Sequence, residues 1–74
     1  MTISKQDAER EAIRRWYALP ANLRQTYEDA EIYASHLERE LDFYTVTSKQ
    51  RLIEAWLIRE IHRAATREDD VRAA

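Results

Sequence analysis

Cysteine and glycine are both absent from this chain of 74 residues, and proline occurs once, as Pro20. Without cysteine there is no disulfide and no thiolate metal site. Without glycine there is no phosphate-cradling loop and no tight hairpin, because those backbones need positive φ or a close approach that a side chain obstructs. Long apolar runs are missing too. None approaches the ~18 residues a membrane-spanning helix needs. The opening stretch MTISKQDAER holds no apolar segment of a secretory signal, so the expected location is cytoplasmic. Formal charge is only −2, too small to point to nucleic acid by its total.

What remains is helix-forming material. Arginine outnumbers lysine ten to two, and glutamate and alanine are abundant. A chain this short makes one domain with a stability of roughly 4–11 kcal/mol, near the small end of what folds unaided. The domain is expected over 1–66, with the polar stretch TREDDVRAA leaving a frayed tail at 67–74.

The fold class read from periodicity is all-α, a small three-helix bundle. Helix 1 is expected over about 5–18: Ser4 with Asp7 marks its start, and Ala8, Ala12, Ile13, Trp16 and Tyr17 share one face. Leu19-Pro20 ends it, since a residue before proline is pushed out of the α region. Helix 2 is expected to be long, over about 20–44. Leu23, Tyr27, Ala30, Ala34, Leu37, Leu41 and Tyr44 step 4,3,4,3,4,3 along it, with a break near 22–26 as the variant reading. Helix 3 is expected over about 48–65, capped by Thr47 (with Gln50) or by Ser48.

Charge is uneven along this plan. From Pro20 to Thr45 six carboxylates face two arginines, a net −4. From Val46 to Arg67 five cations face two glutamates, a net +3. Complementary faces of an antiparallel pair account for both.

The stretch RLIEAWLIREI, Arg51–Ile61, is the most apolar in the chain. On a helix, Ile53, Leu57, Ile61 and Ala64 form one stripe, with Leu52 and Trp56 on one flank and Ile58 and Ala65 on the other. A surface helix needs only one stripe of about 100°. Helix 3 is therefore expected to pack against two bodies, and the second need not belong to this chain. Leu52, Trp56, Ile58, Arg59 and Arg63 are the expected partner-binding residues, because Trp and Arg combine contact area with directed donors. The competing reading has Trp56 closing the core against helix 1, with arginine stems over its edges.

Three further constellations carry less. Lys49, Gln50 and Arg51 open helix 3, where a helix-turn-helix would read DNA in the major groove. An acidic helix 2, a negative total charge and a turn without glycine argue against that alternative. His36 and His62 each stand alone, which does not make a metal site, and no cofactor is expected. No serine has a histidine–carboxylate arrangement, so no enzyme is expected. The functional expectation is a small non-enzymatic regulatory or adaptor protein. It would bind another protein, of unknown identity, or pair with itself as a homodimer.

Overall fold

The side chain of Ser4 accepts the Asp7 N–H at 3.0 Å and starts α1, Lys5–Ala18, over the residues the sequence predicts. The computed structural model describes the backbone of residues 2–73 and the side chains of residues 2–65. Leu19 leaves the helix in extended geometry (φ −72°, ψ 151°), as the following Pro20 requires.

The expected helix over 20–44 is divided where the variant reading puts a break, near 22–26, and the uninterrupted rod is the main correction to the sequence reading. Residues Ala21–Leu23 form a single 3₁₀ turn, and α2 spans only Tyr27–Glu40. The cause is a capping box that the apolar period does not register. Thr26 is extended (φ −118°, ψ 164°) and its hydroxyl accepts the Asp29 N–H at 3.1 Å. The Asp29 carboxylate in turn accepts the N–H groups of Gln25 at 3.1 Å and Thr26 at 3.2 Å. Those two donors, Gln25 first, hold the Asp29 carboxyl below its ordinary value.

At its far end α2 stops at Leu41, which is extended (φ −95°, ψ 121°). The chain then turns Phe43 into the core, where it forms a parallel bridge with Ile3. The Ile3 N–H donates to the Asp42 carbonyl at 2.8 Å. A helix continued to 44 would carry Phe43 off the buried face. The periodic seam therefore holds only in its middle: Ala30, Ala34, Leu37 and Leu41 are buried, whereas Leu23, Tyr27 and Tyr44 are exposed.

Helix α3 spans Lys49–Ala73, 25 residues or roughly 37 Å, against roughly 21 Å for each 14-residue neighbour. It is capped by Ser48, whose Oγ accepts the Arg51 N–H at 3.4 Å. The Thr47 hydroxyl turns back to Thr45 Oγ1 at 3.1 Å instead. The backbone passes the expected end at 65, and the frayed tail expected at 67–74 falls on side chains outside those described.

Four small residues bring the helices together. Ala8 and Ala12 on α1 and Ala30 and Ala34 on α2 are fully buried, so backbones approach closely, and Trp16, Leu37, Ile53 and Leu57 fill what remains. Along the α1–α2 seam Arg15 bridges Glu11 at 2.8 Å and Glu40 at 2.6 Å. Glu11 also pairs with Arg14. The side-chain hydrogen bonds from Arg14 and then Arg15 lower the Glu11 carboxyl from 4.5 to about 2. A depressed native value means that this carboxylate stabilises the fold above about pH 4.5 and ceases to as pH falls through about 2. Acid titration followed by circular dichroism is expected to show a shallower loss of stability in Glu11→Gln than in the parent across that window. Equal slopes would remove Glu11 from the acid response.

Candidate functional site

Helix α3 does pack against two bodies, and both belong to this chain. On one flank Arg59 donates to Glu9 of α1 at 2.6 Å, and Tyr17 of α1 donates to Glu60 at 3.0 Å. On the other flank Tyr27 of α2 meets His62, with its hydroxyl 2.6 Å from Nε2. Leu52, Ile58 and Ile61 are half-buried against the core.

The five residues expected to bind a partner are thus placed as follows. Trp56 is 7% exposed, with its ring centroid 5.6 Å from that of Phe43, and it closes the core. Leu52 and Ile58 are partly buried against the core, and Arg59 is held by Glu9. Arg63 sits 3.5 Å from Glu60 Oε2 with its outer part in solvent. Within the chain the helix finds nearly complete cover for Trp56 and partial cover for Leu52 and Ile58.

The residues of the DNA alternative are also partly engaged. Lys49 Nζ donates to the Leu41 carbonyl at 3.1 Å and lies 5.3 Å from the centre of the Phe43 ring. Gln50 is half-buried and Arg51 exposed. The link from α2 to α3 is residues 41–48, longer than the three or four residues of a helix-turn-helix turn.

What the structure leaves open lies at the opposite end of α3. A groove of about 330 Å³ runs between the 3₁₀ turn and α3, lined by Ala21, Arg24, Gln25, Ile61, Ala64 and Ala65. Leu23 (49% exposed) and Tyr27 (53%) are close in sequence to the lining residues Arg24 and Gln25, and Tyr17 stands beside Arg24, whose guanidinium is 5.4 Å from the Tyr17 ring centre. The Arg24 Nε also donates to the Leu19 carbonyl at 3.1 Å, so the cation is held in place at the groove wall. Sequence reasoning placed Leu23 and Tyr27 in the core seam. The T-x-x-D box at Thr26 is the signal that reassigns them, because it ends the seam's phase at that point.

A second, wider cleft of about 510 Å³ lies at the other end, lined by Ile3 and Leu41 and by Asp7, Glu11, Arg15, Glu40 and Asp42. Its arginine neutralises Glu11 and Glu40 from within. Among the described residues no group of three or more His, Asp or Glu side chains is arranged to hold a metal ion. His36 instead stacks on Tyr33, centroids 5.9 Å apart, and reaches Glu40 at 3.1 Å. Among the described residues no helix is long and apolar enough to cross a membrane.

Fold and surface together define a small all-α three-helix protein in which, among the described residues, a groove lined by Arg24, Ile61 and alanines lies beside the longest helix. Comparison with family models, with curated proteins and with solved structures finds no match to this chain.

Proposed function

We propose that the chain is a small non-enzymatic regulatory or adaptor protein that acts by binding protein through the groove between the 3₁₀ turn and α3. The observation that carries this reading is that Tyr17, Leu23 and Tyr27, all exposed, adjoin residues that line a groove with Ile61 and three alanines: Tyr17 through its contact with Arg24, and Leu23 and Tyr27 as sequence neighbours of Arg24 and Gln25. Tyrosine and arginine anchor protein contacts because a rigid ring or a stacked guanidinium loses little freedom when covered. Scattered single apolar residues on a surface need no explanation, but three large ones beside one groove do. The polar groups lining the groove are Arg24 and Gln25, which suit orientation of a partner rather than proton transfer.

Leu23→Asp provides the test. Leu23 is half exposed, so the substitution is expected to change stability by no more than about 0.5 kcal/mol. As bait in an extract of the source cell, the parent is expected to retain a discrete protein that Leu23→Asp retains at least about thirtyfold less, the effect of losing an anchor worth ~2 kcal/mol. Identical capture by the two baits would remove this surface from the function.

A further inference from the structure

We propose that this groove is filled by the acidic outer face of α2 from a second copy of the chain, in a closed two-fold pair. The inference rests on the protein-binding reading above and names what covers that surface when no other partner does.

Three features of the two faces match. The first is shape. The groove is walled by Ala21, Ala64 and Ala65, whose small side chains let another helix approach closely. The outer face of α2 carries one aliphatic knob, Ile32, which is 63% exposed.

The second is charge. The groove is lined by Arg24 on its 3₁₀ side. Glu28 and Glu31, four and one residues before Ile32, are exposed, and among the described residues neither forms an ion pair. The segment that contains them is net −4, and the segment supplying the α3 wall is net +3. Their attraction is not satisfied within one copy at these positions.

The third is symmetry. Tyr27 opens α2 and also touches His62 of α3, so it lies between the two faces. A two-fold axis near Tyr27 lets each copy offer a knob and receive one. Such an arrangement closes at two copies instead of propagating into a fibre.

The test is molar mass in solution by light scattering over a hundredfold range of concentration, on the full chain. The parent is expected to rise from 8.9 kDa toward twice that mass. Ala64→Glu and Ile32→Glu are each expected to weaken the pair at least tenfold while leaving the thermal melt of the monomer in place. Arg24→Glu is expected to weaken it as well, and Arg24→Glu combined with Glu31→Arg to restore it.

A persistent monomer overturns the inference, and so does a dimer indifferent to both Ala64→Glu and Ile32→Glu. Neither result touches the broader reading, which fails only if Leu23→Asp captures what the parent captures. A monomer whose groove still takes a foreign protein separates the two.

Discussion

Trp16→Ala is expected to cost about 3–5 kcal/mol, the largest effect of any single substitution in this chain. Trp16 is 1% exposed and lies at the end of the α1 face that begins with Ala8 and Ala12. Those alanines set how closely α1 approaches, and the indole fills the core beyond them, with its ring centroid 6.1 Å from that of Tyr33 on α2. Truncation leaves a cavity that close-packed neighbours cannot collapse into, so the transfer and cavity costs add. Total stability for a chain of this length is only about 4–11 kcal/mol. A thermal melt followed by circular dichroism should therefore fall by at least roughly 12 °C, or lose its cooperative transition. Arg10→Ala, at an exposed position of α1, serves as the control and should stay within about 0.5 kcal/mol. A loss below about 1 kcal/mol in Trp16→Ala would mean that α1 is not held by this packing.

Glu60 is the other sensitive position, and substituting it and substituting its donor Tyr17 are expected to have opposite effects. Its carboxylate is 3% exposed at the α1–α3 contact; Oε1 accepts from Tyr17, and Oε2 has no hydrogen-bond donor. Arg63 at 3.5 Å and Arg59 at 3.9 Å supply charge without hydrogen-bond geometry. Removing the phenol by Tyr17→Phe leaves a buried acceptor bare and should cost about 1–3 kcal/mol. Glu60→Met removes the buried charge and keeps the volume, so it is expected to be neutral or to stabilise by about 1–4 kcal/mol. In the Glu60→Met background Tyr17→Phe should then cost close to nothing. The double-mutant cycle measures this coupling directly by urea denaturation. A Glu60→Met protein that unfolds more easily than the parent would show that the carboxylate contributes net stability.

Much of the architecture is legible from local patterns. The α1 boundaries follow from Ser4 and from Leu19-Pro20, and the start of α3 follows from the hydroxyls at Thr47 and Ser48. The uninterrupted form of helix 2 is where the period misleads, while the variant with a break near 22–26 matches, and the cause is specific. A 4,3 period records which residues share a face, and it continues through Leu23, Tyr27 and Tyr44 by coincidence of spacing. It carries no information on where backbone donors are satisfied. Thr26 and Asp29 answer that question locally by taking three N–H groups between them. The bridge from Ile3 to Phe43 answers it non-locally at the other end. The first was readable, since Asp can stand where the usual capping box has Glu or Gln. The second pairs positions 40 residues apart and leaves no trace in either segment alone.

The candidate surface follows the same division. An apolar excess on helix 3 is a property of Arg51–Ile61 alone, and two neighbours for that helix follow from it. Which bodies supply them depends on tertiary packing. Burial of Trp56 against Phe43, the Arg59–Glu9 contact and the Tyr27–His62 contact bring both neighbours from within the chain. The exposed groove beside Ala64 and Ala65 arises because α3 is longer than the helices that cover it, a mismatch that hydrophobic spacing cannot express. Composition and capping chemistry decide that this chain forms helices and where α1 and α3 start, since those interactions span three or four residues. Which apolar residues are covered and which stay in water is settled only when the helices meet, because burial depends on neighbours that are distant in sequence.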